Sequence, residues 1–425
     1  MKTIFLHNYK GFSKTFIPFT DVNFFVGENS TGKTAVLNLL GILSDLRFWF
    51  IPDFNKDSIE LGYFNEIVNQ NSKDKTSFEI GLELNNSTKG IDSNRYIWLK
   101  FKEKNNIPFV KEYRYISGNK SIKVNINTKG ATCLINEFSN ESFEEWINNS
   151  NSSSAIITKK VSFPEQNLPF AFIRSIVGNS LIGEDNKEAN LQEFDFTPPV
   201  KSLSWIDPIR AKAKRYYESY KSMFSSEGQH TPIILKKIFC EKEKEKPHKI
   251  ITELMKFGKS SRLFDEIVIN DFGKESGSPF SVNIHYDMLS VGLTNVGYGV
   301  SQILPIIVEI LTSNRDRLAI QQPEVHLHPK AQAAFGDLVF FSATENKNIF
   351  YIETHSDFTI NRFRLNVFKS KSSKKVNGQV LYFERTKNGT MVTPLRFNSQ
   401  GQYPDNIPLS YSQFFIDEEL KMLEF

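Results

Sequence analysis

Val22-Asn23-Phe24-Phe25-Val26-Gly27-Glu28-Asn29-Ser30-Thr31-Gly32-Lys33-Thr34 decides how this chain folds. Residues 22–26 form a short run of mostly apolar side chains, the pattern of a strand buried on both faces of a parallel sheet. The run leads straight into Gly27. Beyond it, Val36, Leu37, Leu39, Leu40 and Leu43 recur at helical spacing, so a buried helix follows the strand directly. The loop between them, residues 27–34, fits G-x-x-x-x-G-K-[ST]. Its glycines let successive backbone N–H groups turn inward around phosphates, and the helix N-terminus adds the positive end of its dipole. Lys33 is placed to reach β- and γ-phosphates, and the Thr34 hydroxyl to ligate Mg²⁺. Gly27, Glu28, Asn29, Ser30, Thr31, Gly32, Lys33 and Thr34 are thus the expected nucleotide-binding residues.

Outward from this unit, the first 43 residues read as two strands, a tight loop and a helix. Residues 78–84 and 95–101 alternate like strands, and 107–124 does so with a turn at Ser117, which points to an antiparallel addition. Between 136 and 196 the composition shifts to Asn, Ser and Glu, the mark of a loop-rich insertion. The KEKEK run within 236–249 reads as a solvated helix end or loop. Regularity returns at 300–311, a helix with Ile303, Leu304, Ile307, Val308 and Leu311 inward, Ser301 as N-cap and Pro305 near the first turn. Residues 318–320 and 349–352 are two further central strands, each ending in polar residues, where open α/β sheets place their ligands.

The remaining motifs stand at those ends. Asn295-Val296-Gly297-Tyr298-Gly299-Val300-Ser301-Gln302 puts two glycines and a Ser-Gln pair at a helix N-terminus, again facing an anion. Gln321-Gln322-Pro323-Glu324-Val325-His326-Leu327-His328-Pro329 follows one strand, and Glu353-Thr354-His355-Ser356-Asp357 follows the other. The GTPase tetrapeptide N-K-x-D is absent from the sequence. In this order the motifs resemble the ABC-type ATPase heads of the SMC, RecF and overcoming-lysogenization-defect (OLD) group. The likeness is greatest to bacterial AAA-family ATPases with an OLD-like ATP-binding domain, often found in phage-defence or toxin–antitoxin operons. Residues 61–84 and 205–234 also resemble segments of that family.

The resemblance implies two heads dimerising around two ATP molecules, with Gly297, Gly299 and Ser301 of one subunit contacting the γ-phosphate bound by the other. It further implies His355 as the switch histidine and 326–329 as the D-loop at the dimer interface. The Walker-B acids of the family are replaced by Gln321, at the Mg²⁺ position, and Gln322, at the position of the catalytic Glu. An amide cannot accept a proton as a carboxylate can. Glu324 is therefore the expected base, with Glu353 as the other candidate, and hydrolysis is expected to be slow or conditional.

The expected fold class is α/β, a P-loop ABC-type ATPase head with a mixed sheet and an antiparallel addition, split by a helical, loop-rich insertion. Its parts are residues 1–135, the insertion lobe 136–280, and 281–425. The chain has 425 residues and a net charge of +4 from 52 basic and 48 acidic residues, too small for its size to announce a nucleic-acid binder. The expected partners are a second copy of itself and a separate effector, a nuclease or toxin. A RecF-like repair ATPase that binds DNA directly is the alternative. Arg210, Lys212, Lys214, Arg215 and Lys221, interleaved with Tyr216, Tyr217 and Tyr220, read first as a solvated helix face and second as a track for a phosphate backbone, while the place of Arg210 and His230 in the family-like segment offers a role in the ATP interface or an effector contact as a further hypothesis. Lys369, Lys371, Lys374 and Lys375 read as an exposed loop. Tyr9 and Phe12 divide between stacking on adenine and core packing.

An OLD-type nuclease module is not expected, because the stretch after His355 holds no D-x-D pair. Two cysteines, Cys133 and Cys240, make neither a disulfide framework nor a zinc cluster, and the His326/His328 pair lacks a third ligand nearby. No run reaches the ~18 apolar residues of a membrane span and residues 1–10 lack a signal-peptide pattern, so a cytoplasmic protein is expected.

Overall fold

The chain enters with three strands, one more than the sequence pattern suggests: β1 (Thr3–His7), β2 (Thr15–Pro18) and β3 (Val22–Gly27). The computed structural model describes residues 1–56, 59–84, 95–117, 119–139, 141–149, 156–163, 168–182, 199–218, 223–275, 277–370 and 376–415. All six residues of β3 are buried, as an apolar run between two neighbours requires. Next come α1 (Lys33–Leu43), α2 (Leu46–Phe50), β4 (Asn55–Lys56), β5 (Ile59–Glu60), α3 (Phe64–Ile67), β6 (Ser77–Leu84), β7 (Arg95–Lys104), β8 (Ile107–Ser117), β9 (Lys120–Asn127), β10 (Gly130–Glu137), α4 (Phe143–Asn148), β11 (Ile157–Ser162) and α5 (Phe170–Ile182). The second half brings β12 (Leu203–Ile206), α6 (Thr231–Cys240), α7 (Glu245–Ser261), β13 (Glu266–Asp271), β14 (Phe280–Tyr286), β15 (Leu289–Gly292), α8 (Tyr298–Thr312), β16 (Arg317–Gln321), α9 (Pro329–Phe341), β17 (Ile349–Glu353), α10 (Asp357–Lys369), β18 (Gly378–Thr386) and β19 (Gly389–Arg396).

These elements form two compact units, and the chain passes between them more than once. The first comprises Met1–Phe19, Glu28–Ser202 and Phe383–Thr393, the second Thr20–Gly27, Leu203–Tyr382 and Pro394–Phe425. The segment 136–280 contributes α4, β11 and α5 to the first unit and β12, α6, α7 and β13 to the second.

In the first unit an eight-stranded sheet runs in the order β11-β10-β9-β8-β7-β6-β1-β2, every pair antiparallel. The expected antiparallel addition is this sheet. Phe78 and Phe101 face each other across β6 and β7 with stacked rings 4.9 Å apart, and Phe54 closes on Phe101 edge-on at 5.1 Å. Such offset and edge contacts are the geometry in which aromatic rings attract beyond their buried area. α4 lays Phe143 and Trp146 against Phe5, Tyr96 and Trp98.

In the second unit β12, β16, β17, β3 and the start of β18 lie side by side in that order, with the first four strands parallel. Register aligns Gln321 with Glu353 and Glu353 with Phe25, so β16, β17 and β3 end side by side. Val300, Ile303, Leu304, Ile307, Val308 and Leu311 of α8 lie in the core with Phe24, Ile320 and Ile352.

α8 corrects two expectations. It begins at Tyr298 with Gly297 as N-cap, and Ser301 sits inside it, its Oγ donating to the Tyr298 carbonyl at 2.9 Å. Pro305 therefore lies in the helix interior, where its missing N–H leaves the Ser301 carbonyl without its i+4 donor.

Candidate nucleotide site

The loop after β3 divides between the two units at Gly27 and Glu28. Gly27, Ser30 and Gly32 take φ of 144°, 62° and 95°, so the backbone turns repeatedly through conformations that favour glycine. At Gly32 a Cβ would also come within 2.8 Å of the Phe12 ring. Phe12 and Tyr9 are wholly buried, and the Tyr9 hydroxyl donates to the Ala35 carbonyl at 3.2 Å. Both aromatics are thus the floor under the loop and the first turn of α1, and the stacking reading is not met.

Lys33 opens α1 and is buried, its ammonium donating to the Glu28 carbonyl at 2.7 Å. The Thr31 hydroxyl donates to the same carbonyl at 2.8 Å, while Thr34 is exposed. Gly32, the N-cap of α1, supplies no capping side chain. An uncapped helix start with inward-turning amides and a lysine folded over it is a fitting cradle for polyphosphate. Arg385, which the sequence did not single out, donates to the Ser30 carbonyl at 3.1 Å.

In the second unit the ends of β16 and β17 are stitched together. The Gln322 N–H donates to the Glu353 carbonyl at 2.8 Å, and Thr354 N–H to the Phe25 carbonyl at 3.2 Å. Gln322 has a φ of 42°, a left-handed turn that ends the strand line at Gln321. Glu324 is then held from the β17 side: its carboxylate accepts from the His355 N–H at 2.7 Å and the Thr354 hydroxyl at 2.8 Å. Burial pushes its pKa above the ordinary carboxylate range, opposed by these hydrogen bonds and by the nearby Arg210 charge. Each carboxylate oxygen keeps a further lone pair for a water proton. Ser356 caps α10 and donates its hydroxyl to Gln332 at 2.7 Å, which fixes the half-buried His355 between ordered neighbours.

Arg210 does not lie on a solvated helix. No described residue from 207 to 218 is helical, and Arg210 is 2% exposed, donating Nη2 to the Gln321 carbonyl at 2.8 Å. Tyr217 bridges to Phe280, and Lys221 and Tyr220 lie outside the described residues, as do Lys371, Lys374 and Lys375. His328 uses Nδ1 to cap α9 through the Ala331 N–H at 3.4 Å, and His326 stacks edge-on against Tyr298 at 4.8 Å. Among the described residues no group of three or more His, Cys, Asp or Glu is placed to hold a metal.

Gly297, Gly299 and Ser301 part company. Gly297 is exposed with nothing within 4 Å of where a Cβ would stand, and Ser301 is half-buried. Gly299 instead lets the His326 carbonyl approach to 2.6 Å from a Cβ position, so it is required by its own chain. Gly299→Ala should therefore cost about 1–3 kcal/mol of stability as an overpacked contact, whereas Gly297→Ala should change it by less than ~1 kcal/mol. Urea unfolding of the two variants checks this; a larger loss at Gly297 would reverse the assignment.

A family model described as AAA ATPase domain matches residues 1–360. Among curated proteins none matches. Among solved structures the chain is similar to an SMC head bound to the C-terminal winged-helix domain of ScpA, with 13% identity, TM-score 0.45, and 93% of this chain and 97% of that one covered. It is also similar to the SMC head domain of Thermotoga maritima, with 11% identity, TM-score 0.35 and coverage of 93% and 98%. The Smc head of Pyrococcus furiosus, with an extended coiled coil and bound to the C-terminal domain of ScpA, matches at 12% identity and TM-score 0.39, covering 100% and 98%.

Proposed function

The chain belongs to the AAA ATPase domain family, and from that premise we propose that it binds ATP with Mg²⁺, dimerises on doing so, and hydrolyses the nucleotide slowly or conditionally. The observation that carries the reading is the loop 27–34, with Lys33 folded over an uncapped helix start. Lys33 and the backbone amides of this loop would hold the phosphates. Thr34 would offer its hydroxyl to the cation, and Gln321 at most a neutral amide oxygen. Mg²⁺, when bound, supplies charge neutralisation across the phosphate oxygens.

Glu324 accepts the proton of the attacking water on this reading, and Gln322, lacking a carboxylate, can only orient it by hydrogen bonds. Gly297 and Ser301 are the residues left to face the partner's nucleotide, with His355 as the switch on the same subunit. The output passes to a separate effector, a nuclease or toxin acting in antiphage defence. The net charge of +4 supports a protein partner over constitutive DNA binding. Among the described residues no helix is long and apolar enough to cross a membrane.

Sedimentation of the full chain tests the assembly. Its mass should double with ATP and Mg²⁺ and stay monomeric with either alone. An identical mass under all conditions rejects the shared-site scheme.

A further inference from the structure

A buried cation is costly unless something uses its charge. Arg210 is 2% exposed and, among the described residues, makes no ion pair within 4.0 Å. Removing a guanidinium from water without a paired carboxylate is strongly unfavourable, and a neutral amide could hold the Gln321 carbonyl as well. Two acids lie close enough for their fields to act on it, Glu324 and Asp207. Asp207 is already engaged by the Trp205 indole N–H at 2.6 Å. That neutral donor leaves the Asp207 charge intact, and of the two fields acting on Arg210 the Glu324 one is the larger.

Arg210 also joins two elements that sequence keeps far apart. Its backbone N–H donates to the Gln302 side-chain oxygen of α8 at 3.3 Å, while its Nη2 holds the last carbonyl of β16 at 2.8 Å. Two donors here have no partner: Arg210 Nε and Gln302 Nε2, the latter on a side chain 3% exposed. Glu324 in turn is gripped by Thr354 and His355 at the end of β17. A line of hydrogen bonds therefore runs from the helix behind Gly297, through Gln302 and Arg210, to Gln321 at the end of β16, across the Gln322 N–H to the Glu353 carbonyl, and on to Thr354 and His355, which grip Glu324.

We propose that Arg210 is a positioning residue that couples helix α8 to the Glu324 carboxylate, so that the state of the Gly297 end of α8 sets the alignment of the hydrolytic group. The inference rests on the ATPase reading above. Gln302 is the joint on the helix side, and the charge of Arg210 is the joint on the carboxylate side.

Steady-state turnover and nucleotide affinity of the full chain test it, with Arg210→Gln, Arg210→Lys, Gln302→Ala, the double variant Arg210→Gln/Gln302→Ala, and Lys33→Ala alongside. Arg210→Gln should lower kcat by roughly 10- to 100-fold, the scale of a misaligned catalytic group, with KM within about threefold of wild type. Arg210→Lys, which keeps the charge, should recover part of that loss. Gln302→Ala should lower kcat by less, and the double variant should match Arg210→Gln rather than multiply the two effects. Should Arg210→Gln not fold, the lysine and Gln302 variants decide the matter by the same kcat-only signature. Wild-type kcat in Arg210→Gln beside an inactive Lys33→Ala overturns this coupling alone. Wild-type turnover in Lys33→Ala overturns the nucleotide reading beneath it. A lysine variant no better than the glutamine one reduces Arg210 to packing.

Discussion

Lys33→Ala is expected to weaken ATP binding by two or more orders of magnitude and to bring turnover to background. The side chain is buried and already folded over the loop, donating to the Glu28 carbonyl at 2.7 Å, so it is held near its place of work before any phosphate arrives. Preorganisation of this kind means little ordering entropy is lost on binding. Two charge-assisted hydrogen bonds to phosphate oxygens, at roughly 1.5–3 kcal/mol each, correspond to a ~10²- to 10⁴-fold change in Kd. The alanine also removes a buried aliphatic stem, while the Thr31 hydroxyl still donates to the Glu28 carbonyl, so Lys33→Met serves as the control that keeps the packing. Isothermal titration with a non-hydrolysable ATP analogue reads the effect. Both variants should lose affinity alike, with circular dichroism unchanged in the methionine form. Affinity within threefold of wild type in Lys33→Met would remove the loop 27–34 as the nucleotide site.

What the sequence disclosed and what it hid follow from how local each signal is. The path from β3 through the loop to α1 was legible because burial, turn and helix start are all written within neighbouring residues. The pairing of β3 was not, since its neighbours are β17 and β18. Asn23, the one polar residue in the apolar run, is where that pairing shows: its amide donates to the Phe350 carbonyl at 2.9 Å, 327 positions away, and its oxygen accepts from Gln379 at 2.9 Å. No local pattern announces such partners. The division of the chain at Gly27 was hidden for the same reason.

Ser301 was misread because serine is a common cap, while the actual start of α8 is set by extended backbone at Gly297, a conformation open to any residue. The solvated-helix reading of Arg210 fails although charge runs are usually solvated. Its burial depends on a carbonyl acceptor 111 positions on, at Gln321. A cation placed shortly after an apolar strand and beside a proline, as in Trp205-Ile206-Asp207-Pro208-Ile209-Arg210, was the available hint.

Glu324→Gln should leave nucleotide affinity nearly intact and lower kcat by about 10²- to 10⁴-fold, the usual worth of a positioned general base. The substitution keeps the shape of the side chain. One of its two anchors survives, because an amide oxygen can still accept from either the His355 N–H or the Thr354 hydroxyl, while the NH₂ must face the other donor. The pH profile carries the sharper test. Only the ionised carboxylate can accept a proton, so activity must fall as pH drops through the carboxyl's pKa. Burial raises that pKa above the ordinary 4.5, with the two hydrogen bonds and Arg210 pulling the other way. The acid limb of kcat in the wild-type protein should therefore lie at a higher pH than an exposed glutamate would give. In Glu324→Gln the limb should vanish from the residual activity, since no carboxylate remains at that position. Glu353, buried at the end of β17, is another carboxylate beside the strand ends. An acid limb that persists unchanged in Glu324→Gln and disappears in Glu353→Gln would transfer the role of base from the first to the second.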